Sequence, residues 1–116
     1  AKTPLVHIDA KKGTIVLDGR IIPEDSNLFF EPILDFIAQK FAGLKEIHIK
    51  VQVEYANTMA SHKLLELLKL LNRLHQSGAT VRCDWLYEED DYDMLDMGED
   101  YKKLVEYPFE FVEVEV

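Results

Sequence analysis

Two hydroxyl side chains, Thr58 and Ser61, lie where a strand-like segment gives way to a leucine-rich helical segment. Ser, Thr, Asn and Asp residues at such a position cap the helix, because they accept hydrogen bonds from backbone N–H groups that lack an intrahelical partner. Asn57 can already supply that cap. Thr58 is therefore a second capping residue, a nucleophile, or an acceptor of a phosphate group, whose added charge of about −1.5 to −2 would repel or displace a partner.

The helix after Thr58 has two faces of different composition. At about 100° per residue, the leucines of one arc predict the buried face: Leu64, Leu67, Leu68, Leu70, Leu71 and Leu74. The same geometry places a stripe on the opposite face: Thr58, His62, Leu65, Lys69 and Asn72. We expect Leu65 to be exposed in that stripe and to act as an apolar anchor. The predicted docking face for a partner protein consists of Asn57, Thr58, His62, Leu65 and Lys69.

The other candidates for catalysis or metal binding are weak. His7 and His48 lie on predicted strands, and His62 and His75 are thirteen residues apart on one helix, which fits no i, i+4 ligand pair. Cys83 lies on the apolar side of its strand and is predicted to be buried rather than reactive. No Gly-rich phosphate loop and no GxSxG motif is present. The sequence therefore predicts no catalytic residue, no metal site and no cofactor.

A run of acidic residues begins where a predicted strand ends: Glu88, Glu89, Asp90, Asp91 and Asp93. Carboxylates at a helix N-terminus interact favourably with the helix macrodipole, and this is the preferred interpretation. A partner-facing acidic patch is the second interpretation. A divalent-cation site in an enzyme is the third, although the run lacks the glycine and the final glutamate of an EF-hand loop.

The composition limits the classes of protein to which the chain can belong. Its 116 residues predict a single domain over 1–116, and 47% hydrophobic residues provide for a core. The net charge of −9 disfavours nucleic acid and an anionic membrane as partners, because both are bound through Lys and Arg. A single cysteine and the lack of a secretory or membrane-spanning segment predict a cytoplasmic protein. The oligomeric state is left open.

Alternating apolar and polar residues predict the strands. Segments 5–9 and 14–18 are expected to form a β-hairpin. Segments 47–55 and 79–87 are apolar on one side only, which is typical of half-buried strands. The last strand, 109–116, loses its alternation at Phe111 and Val112, which indicates a bulge.

Helical periodicity separates these strands. The first helix is capped by Asp25 or Ser26, and Pro32 either kinks it or moves its start nearer to Glu31. The second helix stops before Gly78. The apolar stripes of the first and third helices are Phe29, Ile33, Phe36, Ile37 and Phe41, and Met94, Met97, Tyr101, Leu104 and Val105.

The resulting order ββαβαβαβ predicts an α/β fold with a mixed sheet of about five strands. A strand, helix and strand within about forty residues require a right-handed parallel crossover, so segments 47–55 and 79–87 are predicted to be parallel neighbours. Because both keep a polar side, the three helices are expected on one face of the sheet, with the other face in solvent.

Several separated residues together resemble the SiaC family (DUF1987). They are Pro23 and Glu24; Tyr55, Asn57 and Thr58; His75, Gln76 and Gly78; Trp85 and Tyr87 with the acidic run; and Gly98, Glu99 and Asp100. The similarity extends from about Thr3 to Val114. It implies a fold like that of the STAS domains of anti-sigma-factor antagonists.

The resemblance also implies a non-enzymatic bacterial switch in cyclic di-GMP signalling. An unphosphorylated protein of this family binds and activates a diguanylate cyclase, a protein kinase phosphorylates one threonine, and a PP2C-type phosphatase reverses the modification. The acceptor matches Thr58. The family pattern continues with hydroxyl residues, whereas Met59 and Ala60 follow here, so Ser61 remains the lesser candidate acceptor.

Two alternatives remain open at the level of sequence. One is a STAS-like module that binds a small ligand, such as a nucleotide or a lipid, or that acts as an anti-sigma-factor antagonist. The other is an enzyme that uses the acidic run with a metal ion.

Overall fold

A five-stranded sheet with three helices forms the fold, and the computed structural model describes residues 5–21 and 26–115. The elements are β1 (Leu5–Asp9), β2 (Thr14–Ile21), α1 (Ser26–Lys40), β3 (Glu46–Ala56), α2 (Thr58–Gln76), β4 (Thr80–Glu88), α3 (Tyr92–Lys102) and β5 (Phe109–Val114). This order confirms the predicted ββαβαβαβ sequence of elements. Within the described ranges, no helix is long and apolar enough to cross a membrane.

The strands lie in the order β1-β2-β3-β4-β5. The pair β1–β2 is antiparallel and the other three pairs are parallel, so the predicted parallel pairing of β3 with β4 is confirmed. Each parallel pair is joined through a helix, and each new strand is added beyond the last. Right-handed crossovers that advance in one direction place all three helices on the same face.

The core lies between that face and the helices. Its sheet side is formed by Ile15, Leu17, Ile47, Ile49, Val51, Val53, Val81, Cys83 and Trp85, all of which are buried. Alternate residues of β3 and β4, including Glu46, Lys50 and Arg82, are exposed on the other face. The predicted one-sided sheet is therefore confirmed, and we refer to its solvent side as the open face.

The predicted bulge in the last strand is wrong. Pairing runs without a shift from Cys83 with Phe109 to Glu88 with Val114. Val112 pairs with Leu86 on the open face, and this apolar pair explains why the alternation of the sequence breaks there. A register shift lies instead in the β2–β3 pairing, where Gly19 pairs with Val53 but Arg20 pairs with Tyr55, so Glu54 of β3 is the extra residue.

Helix α1 includes Pro32 in its interior, so the later start near Glu31 is wrong. Asp25 lies outside the described residues. Phe36 is 40% exposed and Leu104 is 50% exposed, although both were expected in apolar stripes. For Leu104 the reason is local, because α3 ends at Lys102 and the helical periodicity no longer applies beyond it.

Helix α3 packs closely on strands β4 and β5 through Gly98. A Cβ atom at this position would lie 2.6 Å from Nε1 of Trp85 and 2.7 Å from Cε1 of Phe111. The Trp85 ring cannot easily move away, because it is fully buried and its Nε1–H donates to the Met94 carbonyl at 2.9 Å. Gly98 is therefore required by packing, in spite of its cost in a helix.

Tyr101 connects α3 to α2. Its hydroxyl donates a hydrogen bond to the backbone carbonyl of Ser61 at 2.7 Å, and its ring packs edge-on against Trp85 with centroids 5.7 Å apart. Burial raises the pKa of Tyr101 to about 12.

Replacing Gly98 with alanine is expected to destabilise the fold. The added methyl group overpacks the core, which lowers the free energy of unfolding by about 1–3 kcal/mol. This loss outweighs the gain of about 1 kcal/mol in helix propensity. Thermal unfolding of Gly98→Ala should show a melting temperature several degrees below wild type. The neighbouring exposed variant Glu99→Ala is the control, and a Gly98→Ala protein as stable as this control would contradict the packing argument.

Stability should fall as the pH rises from about 10 to about 12. The unfolded state loses the Tyr101 proton near the ordinary tyrosine pKa of about 10, whereas the folded state holds it until about 12. Urea unfolding at several pH values should show a shallower decline in stability for Tyr101→Phe than for wild type. Part of the decline should remain in this variant, because burial also raises the pKa of Tyr107. Tyr92→Phe alters an exposed tyrosine and should leave the decline unchanged.

Candidate functional site at the start of helix α2

Asn57 is the only residue between β3 and α2, and it caps the helix. Its backbone is extended, with φ −72° and ψ 173°, and its side-chain Oδ1 accepts a hydrogen bond from the Ala60 N–H at 2.8 Å. The Ser61 N–H donates to the Asn57 carbonyl at 2.8 Å, which starts the helical ladder. Asn57 thus performs the predicted capping role, and the helix does not need Thr58 for it.

Thr58 is the first residue of α2 and is exposed. Among the described residues its hydroxyl has no hydrogen-bond partner. The N–H groups of Thr58 and Met59 precede the first turn of the ladder, and such groups favour an anion at the positive end of the helix dipole. The position therefore combines an accessible hydroxyl with an environment that suits a negative charge.

Ser61 differs from Thr58 in each of these respects. It is half-buried, and its hydroxyl donates to the Asn57 carbonyl at 3.0 Å. Its own carbonyl accepts the hydrogen bond from Tyr101 of α3. Ser61 is thus part of the contact between α2 and α3.

The predicted docking stripe is only partly exposed. Thr58, His62 and Lys69 are exposed, whereas Asn57 and Leu65 are half-buried. Leu65 packs against the core, so the expectation that it is fully exposed is wrong.

The reason is tertiary, because the flank of α2 that carries Leu65 faces α3 and the segment after it. Ser61, one turn before Leu65, is bonded to Tyr101. Asn72, two turns after it, accepts the Glu106 N–H at 2.8 Å. A helical wheel of α2 alone contains no information about these neighbours.

A surface depression of about 460 Å³ lies along this part of α2. We call it the α2 depression, and its lining consists of Met59, His62, Lys63, Leu65, Glu66 and Lys69. Three of these residues belong to the predicted stripe, and sequence reasoning missed the others. Met59, His62, Lys63 and Glu66 recur at three- and four-residue spacing, which was the signal available for finding them.

Lys63 forms one wall of the α2 depression and connects two helices. Its Nζ lies 3.0 Å from Glu66 in α2 and 3.1 Å from Glu31 in α1, and its side chain is only 14% exposed. The hydrogen bonds to Glu66 and Glu31 raise the pKa of Lys63 above its ordinary value. The lysine therefore stays charged at neutral pH and holds this wall in place.

The acidic run serves in part to start α3, as the preferred interpretation predicts. Asp91 is the N-cap, and its side chain accepts from the Met94 N–H at 3.2 Å, while Asp93 lies in the first turn. No group of three or more His, Cys, Asp or Glu side chains in the described ranges could hold a metal ion.

Structural contacts account for three of the other candidate residues. His48 pairs with Asp84 at 2.7 Å on the open face, and Nδ1 of His75 lies 2.9 Å from the Ala79 carbonyl. Cys83 is buried, as predicted, and burial raises the pKa of its thiol.

Comparison with solved structures shows the same fold in SiaC of Pseudomonas aeruginosa. That chain superimposes with a TM-score of 0.89 at 23% identity, over 97% of this chain and 92% of the other. A second structure, of the diguanylate cyclase SiaD in complex with its activator SiaC from the same organism, gives a TM-score of 0.90 at 23% identity, over 97% and 93% of the two chains.

Sequence comparison extends this similarity. The uncharacterized protein PA14_02130 of Pseudomonas aeruginosa strain UCBPP-PA14 is 25% identical over 108 residues, which cover 92% of this chain and 86% of the relative. The family model described as SiaC family regulatory phosphoprotein matches residues 1–114. The chain therefore belongs to the SiaC family of regulatory phosphoproteins.

Proposed function

We propose that this chain is a non-enzymatic signalling protein that is switched by reversible phosphorylation of Thr58. In its unphosphorylated state it binds and regulates a partner, and a diguanylate cyclase is the partner that the activator role of SiaC suggests. A protein kinase adds the phosphate and a PP2C-type phosphatase removes it. The observation that carries the proposal is the exposed Thr58 hydroxyl, which has no hydrogen-bond partner in the described structure, directly after a cap that Asn57 already supplies.

The contrast between the two hydroxyls supports Thr58 as the acceptor. A kinase must bring the hydroxyl oxygen to a phosphoryl group, and the Thr58 side chain is accessible for this without any rearrangement. Phosphorylation of Ser61 would break its hydrogen bond to the Asn57 carbonyl and would place a charged group beside the half-buried contact between α2 and α3.

The helix start supports a switch that acts on the surface rather than on folding. Phosphate on Thr58 would meet the free N–H groups and the positive end of the α2 dipole, so the helix should persist. Its charge of about −1.5 to −2 would lie one turn before His62, at the end of the α2 depression. A partner seated in that depression would meet new charge and new volume, and it would be released.

The α2 depression is the proposed docking site for the partner. Leu65 and Met59 supply its apolar surface, and His62 and Lys69 supply exposed polar groups that form no ion pair within the described ranges. An apolar anchor surrounded by polar groups is the usual arrangement at a protein–protein contact.

Thr58→Ala should abolish phosphorylation and keep the protein permanently able to bind its partner. Because Asn57 retains the cap, the loss of stability should not exceed about 1 kcal/mol. The measurement is phosphopeptide mapping of the chain expressed in its native host, together with titration of a purified diguanylate cyclase from that host, followed by production of cyclic di-GMP.

Ser61→Ala is the matched control for this experiment. It should still accept phosphate at Thr58. Phosphate found on Ser61 alone, or a Thr58→Ala protein that no longer binds the cyclase, would contradict the proposed switch.

Met59→Asp should weaken partner binding by at least tenfold without destabilising the fold. Met59 is 53% exposed in the α2 depression, and burial of its side chain in a complex would contribute about 1.5–3 kcal/mol, where about 1.4 kcal/mol corresponds to a factor of ten. An acidic side chain in the first turn interacts favourably with the helix dipole, so the melting temperature should not fall. Leu65 is a poorer test position, because its contacts with the core would add a folding defect.

Leu104→Asp provides the control, since Leu104 is 50% exposed and lies outside the α2 depression. Isothermal titration with the same cyclase should separate the two variants. Equal affinities for Met59→Asp and wild type would mean that the partner docks on another surface.

A further inference from the structure

A group of basic residues lies at the end of the sheet opposite to Thr58. Lys11 and Lys12 belong to the turn between β1 and β2, Lys45 precedes β3, and Arg82 lies near the start of β4 on the open face. All four side chains are exposed. We call this group the basic edge.

Backbone hydrogen bonds hold these three segments side by side. The Gly13 carbonyl accepts from the His48 N–H at 2.8 Å, which attaches the turn to β3. The Lys45 carbonyl accepts from the Thr80 N–H at 2.7 Å, which attaches the loop before β3 to β4. Gly13 has a φ of +71°, and a Cβ atom there would overlap the Glu46 carbonyl oxygen, so only glycine lets the turn approach this closely.

The basic edge surrounds two adjoining depressions. One, of about 340 Å³, is lined by Lys12, Arg82 and His48 among others. The second, of about 320 Å³, is lined by Lys11, Lys12 and Lys45 among others. Lys12 and Glu46 line both, so the two depressions adjoin, and we refer to them together as the trough.

The cations of this trough are available for a ligand. None of the four basic side chains forms an ion pair with any residue that the structure describes. Asp9 lies close by, and its carboxylate accepts hydrogen bonds from the Lys11 and Lys12 N–H groups at 3.0 and 3.1 Å. These bonds and the charge of Lys12 lower the pKa of Asp9, so it stays ionised and offsets part of the positive charge of the basic edge. Asp9 does not line either depression, and Glu46 is the acidic residue that lines both.

We infer that the basic edge is a second interaction surface, which binds an acidic segment of a partner protein. A local group of unpaired cations on a chain with a net charge of −9 is complementary to a short anionic stretch, whereas the charge of the whole molecule repels a nucleic acid polyanion. The trough is open and spans three chain segments, so it suits an extended peptide.

This surface acts independently of the proposed switch at Thr58. The two sites lie at opposite ends of β3, which has eleven residues, so they are about 30 Å apart along the strand. One protein could therefore hold an acidic segment at the basic edge while α2 engages or releases its own partner.

Fluorescence anisotropy with a labelled peptide of ten alternating glutamate and glycine residues tests the inference. Wild type should bind this probe more tightly than the matching glutamine–glycine peptide, and binding should weaken as salt is added. The double variant Lys12→Glu/Arg82→Glu should bind the acidic probe at least tenfold more weakly.

The control is Lys40→Glu/Lys103→Glu, which changes the net charge by the same amount at exposed positions outside the trough. It should bind the acidic probe within about threefold of wild type, and melting temperatures should show that both variants fold. Equal loss in the two double variants would overturn the inference, because only total charge would then matter.

Two further outcomes would also overturn it. Tighter binding of a labelled ten-nucleotide single-stranded DNA than of the acidic peptide at equal salt would assign the surface to nucleic acid. Concentration-dependent self-association in sedimentation velocity that Lys12→Glu/Arg82→Glu abolishes would assign it to a second copy of this chain.

Discussion

One-sided burial of the parallel sheet is the constraint on which the rest of the structure depends. The apolar side chains of β3 and β4 face the helices and their polar neighbours face solvent. Because every parallel crossover advances in the same direction, the helices share one face, and each begins at the edge where the preceding strand ends. The start of α2 therefore lies at one edge of the sheet, and the lysine-bearing turns lie at the other.

At the start of α2, one residue caps the helix and a different residue carries the exposed hydroxyl. Asn57 supplies the cap and Ser61 reinforces the first turn, while Tyr101 fixes that turn to α3. These contacts hold the start of α2 in place without the hydroxyl of Thr58. A charge can be added there without loss of a hydrogen bond among the described residues, which is what a surface switch requires.

The charges of the chain are distributed unevenly despite the strong overall excess of acid. Carboxylates gather at the start of α3, where the helix dipole favours them, and the basic edge collects lysines from turns that are distant in sequence. The net charge of −9 disfavours nucleic acid and an anionic membrane and favours a basic protein surface as one class of partner. The arrangement of the charges adds an acidic peptide as a second class of partner.

The sequence by itself determined the order of elements, the parallel pairing of β3 with β4, and the cap at Asn57. The order of elements and the cap depend on local periodicity or on contacts within one turn, which the order of residues contains. The parallel pairing follows from that order, because a strand, a helix and a strand in close succession require a right-handed crossover. The sequence also indicated Thr58 as the accessible hydroxyl, because it lies opposite the leucine face of α2.

Only the tertiary structure decided which surface positions are covered. Leu65 is half-buried because contacts with α3 and the segment after it lie on the same flank of α2, and the apparent slip in β5 is a pairing of Val112 with Leu86 on the open face. Likewise, Lys12 and Arg82 line one trough because Gly13 lets a turn approach β3. These features depend on contacts between residues far apart in the chain, and a helical wheel or a strand pattern describes each element alone.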